Sequence, residues 1–312
     1  MPAHPLIRLA GRFAIRDARR FRLKDVDPGG TKGFSATKEE AESLLREAVD
    51  RISSLQETLY AQDQWGLLLI FQAMDAAGKD SAIKHVFSGI NPQGVQVFSF
   101  KAPSAEELDH DFLWRTAVRL PERGRIGVFN RSYYEEVLVV RVHPELLQSE
   151  RLPARVVGRD IWAERFDDIN SFERHLSRSG YVIRKFFLHV SRDEQARRFL
   201  KRLDEPEKRW KFSMTDIRER ERWPEYMKAY DAVVRSTTTP EAPWLVVPAD
   251  KKWFARLVIA GAVLDALERL DLRAPTVTPG HERELDEVRA ALAKEVGAAA
   301  GRRARGSSRK KR

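Results

Sequence analysis

The chain has 312 residues, 42% of them hydrophobic, and it contains no cysteine. This length suits one large domain or two modest ones with a real core. The missing thiols exclude disulfides, cysteine-ligated zinc and thiol nucleophiles, and no apolar run reaches the ~18 residues of a membrane span. The basic N-terminus lacks the apolar segment of a secretion signal, so we expect a cytoplasmic protein.

The net charge of +10 is concentrated at one end of the chain. The last twelve residues, GRRARGSSRKKR, carry seven of these charges and no acid, which leaves about +3 on the other 300. Such a tail favours solubility or non-specific contact with polyanions. An anion site in the body of the chain must therefore be a local cluster of cations.

The chain begins with a segment that gives no periodic signal. Residues 1–36 are rich in glycine and basic residues and predict an irregular N-terminal extension. Thr37 and Glu40 then have the spacing of a capping box, and apolar residues recur behind them at helical intervals. We expect a long amphipathic helix that opens a domain spanning residues 37–273.

Short apolar segments separated by longer helical stretches follow that helix. The first and last of them lack polar alternation, which is typical of strands buried on both faces. Strands that alternate with helices predict a doubly wound parallel sheet of the α/β class. The predicted strands are 66–73, 95–100, 125–130, 182–190 and 244–249.

The C-terminal part of the chain changes character after the last strand. An apolar helix predicted at 251–270 closes the core. Residues 274–312 are predicted to form a C-terminal extension, with a short polar helix at 282–297 and a disordered basic tail.

The stretch MDAAGKDS, residues 74–81, lies between a buried strand and a helix, as a phosphate-binding loop does. A lone Gly-Lys pair is usually an ordinary turn, but this setting favours the phosphate loop. Lys79 supplies a compact positive charge. An acid in such a loop repels phosphate unless a metal lies between them, so Asp75 is a candidate for binding metal or orienting the acceptor. The other phosphate-binding candidates in the loop are Ala76, Ala77, Gly78, Asp80 and Ser81.

A second motif, FNRSYYEE at residues 129–136, follows the third predicted strand. It places Asn130 and Arg131 at the carboxyl edge of the sheet, where ligands of open α/β sheets bind. We expect Arg131 to reach phosphoryl oxygens, Asn130 to contact phosphate or nucleotide, and Glu135 to be a second metal ligand beside Asp75.

The densest cluster of cations in the body lies between residues 197 and 211, with seven basic residues against three acids. A solvated helix face is the ordinary explanation, but beside a phosphate loop we interpret residues 192–222 as a basic lid. Arg198 and Arg202 lie four apart on one helical face and are catalytic candidates. Further phosphate-binding candidates are Lys101, Lys208 and Lys211.

Five ordered blocks of the chain resemble the family-2 polyphosphate kinases, which are P-loop enzymes similar to thymidylate kinase. The resemblance covers roughly residues 35–273 and implies a five-stranded parallel sheet sandwiched by helices, with a helical lid. It also implies reversible phosphoryl transfer from inorganic polyphosphate to AMP and/or ADP. The blocks are AMDAAGKDS, INPQGVQVFSFKAPS with HDFLWR, FNRSYYEE, SRDEQARRFLKRLDEPEKRWKFSMTD, and STTTPEAPW with VPADKKWFARL.

The resemblance carries expectations about substrates, cofactor and assembly. Asn130 and Glu135 make the second motif similar to that of the branch that accepts AMP as well as ADP. We expect Mg²⁺, replaceable by Mn²⁺, adenine nucleotides with guanine nucleotides as further substrates, and a homodimer or homotetramer. Asp75, Lys79 and Arg131 would act on the transferring phosphoryl group, together with the two lid arginines.

Other functions remain open from the sequence alone. A monophosphate kinase of thymidylate-kinase type would use ATP, but Ala73 and Asp80 stand where its loop has glycine and a hydroxyl residue. A nucleic-acid-binding protein would act through the basic tail, which lacks interleaved aromatics, so we expect no specific nucleic-acid partner and no membrane partner. A scaffold without activity is disfavoured by Lys79 and Arg131.

Overall fold

The structure, a computed structural model, describes residues 4–211, 214–276 and 279–309. The chain divides into two units, Met1–Arg273 and Ala274–Arg312. The first unit contains a single five-stranded sheet among the described residues, and the second is a helix. No helix in the described part of the chain is both long and apolar enough to cross a bilayer.

The sheet is parallel throughout and has the strand order β2-β3-β1-β4-β5. All seven residues of the central strand β1 are buried, because β3 and β4 flank it and helices cover the sheet. The fold therefore confirms the predicted α/β class and all five predicted strands. They are β1 Gly66–Gln72, β2 Val95–Ser99, β3 Ile126–Asn130, β4 Tyr181–His189 and β5 Trp244–Pro248.

Helices form the crossovers between the strands and the layers on the sheet. The α-helices are α1 Pro5–Gly11, α2 Lys38–Gln62, α3 Lys79–Val86, α4 Ala105–Leu108, α5 Trp114–Ala117, α6 Val139–Val142, α7 Ile161–Arg178, α8 Arg192–Asp204, α9 Met214–Glu221, α10 Trp223–Thr237, α11 Lys252–Glu268 and α12 Pro279–Arg309. Shorter 3₁₀ turns lie at Leu23–Asp25, Pro92–Gly94, Tyr133–Val137, Pro144–Glu150, Ala154–Val156 and Pro206–Lys211.

The capping box predicted for α2 is present. Glu40 N–H donates to Thr37 Oγ1 at 3.2 Å, and Thr37 N–H donates to Glu40 Oε2 at 2.7 Å. Because each side chain satisfies a backbone donor of the other residue, the first turn of α2 is fixed at its predicted start.

The N-terminal segment is not the irregular extension predicted from the sequence. Helix α1 packs against α11, and Gly261 permits the contact, since a Cβ there would collide with the Leu6 carbonyl. Further along, Ile15 N–H donates to Trp244 O and Val246 N–H donates to Phe13 O, so the segment pairs with the edge of β5. A helix of two turns is too short to show a period, and edge pairing is a long-range contact that local patterns do not reveal.

A buried polar network lies behind the second motif and joins β4, α7 and the 3₁₀ turn at 133–137. Lys185 Nζ is 2.6 Å from Glu173 Oε2 and also donates to the Thr237 carbonyl at 2.6 Å. Tyr133 and Tyr134 both donate their hydroxyls to Glu173 Oε1 at 2.8 Å. Burial lowers the pKa of Lys185, and the Glu173 carboxylate opposes that shift. The network therefore fixes the position of the chain beyond Ser132.

The second unit differs from its prediction as well. Helix α12 extends from Pro279 to Arg309, whereas the sequence predicted a helix at 282–297 and a disordered tail. Alanine, arginine, glutamate and lysine are strong helix formers. Such residues continue into the segment that was predicted to be disordered because of its charge. Residues 310–312 lie outside the described part.

Candidate active site

The loop between β1 and α3 has an unusual backbone. Ala76 has φ of 60° and Gly78 has φ of 111°, both in the left-handed region. Glycine adopts this region freely, whereas Ala76 is held there at a cost of the order of 1–3 kcal/mol. Gly78 is the N-cap of α3, so the positive end of the helix dipole opens at this loop. Backbone N–H groups at a helix N-terminus suit an anion, so this loop could hold one.

Lys79 lies at the bottom of the loop. Its ammonium donates to the Ala73 carbonyl at 3.0 Å and is 8% exposed. Burial lowers the pKa of Lys79, while the Asp75 carboxylate opposes this shift. An ammonium has three donors, and Ala73 is its single hydrogen-bond partner among the described residues, so two donors are available to phosphate oxygens.

Asp75, Arg131 and Glu135 form a group that we call the central ion group. Arg131 Nη2 is 2.9 Å from Asp75 Oδ1, and its Nη1 is 3.9 Å from Glu135 Oε2. Glu135 also accepts a hydrogen bond of 2.8 Å from Gln72 Nε2. Glu135, ahead of Asp75, raises the pKa of Arg131. Arg131 has φ of 65°, and left-handed backbone at a non-glycine residue is concentrated at functional sites.

Two clefts meet at the central ion group. The first cleft has a volume of about 840 Å³ and contains seven basic and four acidic side chains. The second cleft has a volume of about 310 Å³ and shares Asp75, Arg131 and Asp216 with the first. The charged residues of the first cleft are Asp75, Lys79, Asp80, Lys101, Arg131, Arg198, Lys201, Arg202, Glu205, Asp216 and Lys252. The second is lined by Ala73, Met74, Asp75, Arg131, Glu135, Leu138, Val139, Thr215, Asp216, Glu219, Tyr226 and Tyr230.

The first cleft concentrates positive charge along one wall. Burial lowers the pKa of Lys252, and the neighbouring cations Arg198, Lys201 and Arg256 lower it further. Lys101 is exposed on the opposite side, just beyond β2. The repulsion between these cations in the free protein decreases when an anion binds between them.

The second cleft is more apolar and contains two tyrosines. Burial raises the pKa of both Tyr226 and Tyr230, so both phenols remain neutral. Tyr226 donates its hydroxyl to Glu219 Oε2 at 2.5 Å. Leu138 and Val139 complete a wall on which a flat apolar group could lie.

Arg198 is placed differently from the phosphate ligand that the sequence suggested. Its Nη1 donates to the carbonyls of Ala76 and Ala77 at 3.0 and 2.6 Å. Its Nη2 donates to the carbonyls of Ala249 and Asp250 at 2.6 and 3.0 Å. Because backbone oxygens occupy both ends of the guanidinium fork, Arg198 positions the phosphate loop from behind.

The other predicted residues are distributed around the first cleft. Arg202 Nη1 is 3.9 Å from Asp216 Oδ2, and both line the cleft. Asn130 Nδ2 donates to Asp80 Oδ1 at 2.7 Å, which ties the second motif to α3. Ser81 Oγ accepts from Arg256, while the side chains of Lys208 and Lys211 lie outside the described residues.

Sequence reasoning did not single out several side chains that complete the site. Gln195 Nε2 donates to the Asp75 carbonyl at 2.9 Å, and Gln72 holds Glu135. Lys252 stands within VPADKKWFARL, a block that served only to show the resemblance. Its position directly after β5, at the ligand-binding edge of the sheet, was the signal that could have identified it.

The carboxylates available to a metal ion are few. No cluster of three or more metal-binding side chains occurs within residues 4–211, 214–276 and 279–309. Asp75 and Glu135 share Arg131 and are partly exposed. Two carboxylates beside a phosphate site fit Mg²⁺, which binds through one or two carboxylates, substrate phosphates and water.

Comparisons with known proteins agree with this geometry. The family model described as polyphosphate kinase 2 matches residues 35–275. The ADP-polyphosphate phosphotransferase of Rhodopseudomonas palustris is 54% identical over 270 residues, which cover 86% of this chain and 92% of that protein. The AMP/ADP-polyphosphate phosphotransferase of Meiothermus ruber is 42% identical over 272 residues, or 87% of this chain and 98% of that protein.

A solved structure is also similar. The crystal structure of polyphosphate kinase 2 from Arthrobacter aurescens TC1 aligns with a TM-score of 0.81 and 41% identity. The alignment covers 88% of this chain and 95% of that one.

Proposed function

This chain belongs to the polyphosphate kinase 2 family, and we propose that it transfers phosphoryl groups reversibly between inorganic polyphosphate and the nucleotides AMP and ADP. The observation that carries this proposal is the meeting of two clefts at Asp75 and Arg131. Phosphoryl transfer needs a donor and an acceptor that approach one point roughly in line. Two clefts that share Asp75 and Arg131 would let a donor and an acceptor meet at one point.

We assign polyphosphate to the first cleft. Its repeating charge offers no base to recognise, so its site needs cations rather than an apolar pocket. Lys101, Lys201 and Lys252 supply such cations in addition to Lys79. The like-charge repulsion around Lys252 supports an anionic occupant.

We assign the nucleotide to the second cleft. A base binds in an apolar slot with a few polar groups, and Tyr226, Tyr230 and Leu138 offer such a wall. The nucleotide phosphates would then point to Arg131. One relative is named for ADP and another for AMP and ADP, so activity with both nucleotides is part of the proposal.

Asp75 and Glu135 would hold Mg²⁺, with Mn²⁺ as a substitute. When bound, the ion neutralises charge on the phosphates of donor and acceptor. Asp75 would also orient the attacking phosphate oxygen. Both carboxylates lie beside Arg131, so the chain balances their charge in the free protein.

Each cation has a separate part in the transfer. Lys79 and Arg131 would stabilise charge on the equatorial oxygens of the transferring group, and Arg202 would add charge from the lid. Arg198 holds the loop that presents Lys79. No covalent intermediate on the protein is needed, because positioning and charge neutralisation account for the catalysis.

An assay without ATP tests the proposal. AMP, ADP, GMP or GDP would be incubated with Mg²⁺ and long-chain polyphosphate, and products separated by ion exchange. We expect ADP and ATP from the adenine nucleotides, less product from the guanine nucleotides, and a much lower rate of product formation with the Lys79→Met variant. Product that forms only when ATP is the donor would contradict the proposal and indicate a monophosphate kinase.

Two further expectations accompany the activity. We expect a homodimer or homotetramer, which light scattering of the purified chain would measure. We also expect the reaction to occur in the cytoplasm, which fractionation of cells that produce the protein would test.

A further inference from the structure

A cavity of about 540 Å³ lies apart from both clefts and shares no lining residue with either. We call it the side cavity. His189, Ser191 and Arg192 border it where β4 leads into α8, and Trp223 borders it where α10 begins. The side cavity therefore lies where α8 and α10 begin.

The floor of the side cavity is apolar. Leu23 and Val26 contribute from the N-terminal segment, and Trp223 and Met227 contribute from α10. An apolar floor with a few polar groups at the rim is typical of small-molecule sites, and its volume is within their usual range of about 300–1,000 Å³.

The rim of the side cavity is positively charged. Lys24, Arg192 and Lys228 are exposed, and none of them has an ion pair among the residues that the structure describes. Asp231 is the one acidic lining residue in the described part, and it already accepts Leu23 N–H at 2.7 Å and lies 3.8 Å from Arg235. The rim therefore has cations without an internal counter-charge, which favours an anionic ligand.

His189 provides a second, independent indication of a ligand. It is 8% exposed, and its Nδ1 is buried without a hydrogen-bond partner. Burial lowers the pKa of His189 to about 4, while the Asp250 carboxylate opposes this shift, so the ring is neutral. The ring therefore borders the side cavity with one nitrogen that has no partner in the described part of the chain, and buried polar atoms are normally paired.

We propose that the side cavity binds a nucleoside phosphate, with the base on the apolar floor and the phosphates at Lys24, Arg192 and Lys228. A polar group of the base or the ribose would form a hydrogen bond with His189 Nδ1. Such a ligand would use the apolar floor, the cationic rim and the unpartnered ring nitrogen together.

A hydrogen-bonded path connects the side cavity to the central ion group. Arg220 Nη1 donates to the Arg192 carbonyl and to Gln195 Oε1, both at 2.8 Å. Gln195 in turn donates to the Asp75 carbonyl at 2.9 Å. A ligand at Arg192 would thus bias the position of Asp75. This regulatory consequence rests on the proposed function, whereas the binding itself does not.

Because the chain has no cysteine, a single introduced thiol tests the binding. Arg22→Cys places that thiol on the rim at a residue with no assigned part in binding, and Arg178→Cys places one at the exposed C-terminal end of α7. We expect ADP to slow maleimide labelling of the first variant at least tenfold and to leave the second unchanged. Pyrophosphate alone and adenosine alone should protect much less. No protection by ADP, or equal protection by pyrophosphate, would overturn the proposal.

Reversing one charge on the rim distinguishes ADP binding in the side cavity from ADP binding in the clefts. In the Arg22→Cys background, Lys24→Glu should abolish the protection by ADP, while Arg46→Glu, on the exposed face of α2, should leave it intact. Both substitutions are at exposed positions, and equal unfolding midpoints would confirm that both variants fold. Protection that survives Lys24→Glu would assign it to ADP in the clefts and overturn the proposal. Loss of protection in Lys24→Glu would support the side cavity whether or not the chain transfers phosphoryl groups, because labelling measures binding alone.

Discussion

The ion pairs Lys185–Glu173 and Arg131–Asp75 have similar lengths, 2.6 and 2.9 Å, but opposite surroundings. The first pair is at most 1% exposed, and tyrosine hydroxyls and a carbonyl satisfy its remaining groups. Both side chains of the second pair are 37% exposed and line two clefts, and Arg131 has a left-handed backbone. A buried pair with every group satisfied fixes the structure, whereas a half-open pair is available to ligands. Substitutions should therefore affect stability at one and activity at the other.

The largest effect is expected in the buried network. Glu173→Ala leaves the Lys185 ammonium without its counter-charge, so the free energy of unfolding should fall by about 3–5 kcal/mol. The double variant Glu173→Leu/Lys185→Met should recover most of this loss, because it removes both charges and keeps apolar volume. Urea unfolding measures both. A single variant that costs less than about 1 kcal/mol would show that the network does not hold the fold.

The next effect is expected in the phosphate loop. Lys79→Met keeps the length of the side chain and removes its charge, so kcat should fall about 10²–10³-fold. The free energy of unfolding should be unchanged or higher, because a desolvated cation is removed. Lys84→Met, on the exposed face of the same helix, is the matched control for both measurements. A fall of less than tenfold would contradict the assigned loop.

The substitution Arg131→Lys tests the half-open pair Arg131–Asp75. A lysine cannot reach Asp75 and Glu135 with one planar fork, so kcat should fall about tenfold. Stability should change by less than about 0.5 kcal/mol, since exposed pairs contribute little. A large loss of stability with intact kcat would reverse the comparison between the two pairs.

Two neighbouring carboxyl groups, Glu136 and Glu150, should make stability depend on pH. Burial, together with the nearby Glu136, raises the pKa of Glu150 from 4.5 to about 8. Between these values the folded chain retains a proton that the unfolded chain releases, so stability falls as pH rises through that window. In Glu150→Gln the decline between about pH 5 and pH 8.5 should be smaller, as urea unfolding would show. Equal slopes in both proteins would contradict the raised pKa.

Local patterns predicted the parts of the fold that depend on local chemistry. The apolar run at β1 and the capping pair Thr37 and Glu40 each act over a few residues, and both lie where the sequence indicated. The N-terminal segment depends on contacts with α11 and β5, more than 200 residues away, and was misjudged. A period needs several turns to show, and α1 has two.

The candidate site, like the fold, could be predicted from the sequence only in part. Motif spacing brought Asp75, Lys79 and Arg131 to one edge of the sheet, and the structure places them around one cleft. The part played by Arg198 could not be read from spacing, because its partners are backbone carbonyls of two distant loops. A basic residue in a motif predicts charge at a site, and only the fold shows which oxygens it meets.

The four carbonyl contacts of Arg198 also limit which part of the predicted lid can move separately from the phosphate loop. The guanidinium joins the middle of α8 by hydrogen bonds to the phosphate loop and to the loop after β5. Helix α8 is therefore held against the phosphate loop, although the sequence analysis assigned the whole of residues 192–222 to the lid. The backbone leaves the helical region at Glu205, with φ of −96° and ψ of 101°. A lid segment that moves separately from the phosphate loop would therefore begin beyond Glu205, so it would be shorter than the predicted lid of residues 192–222.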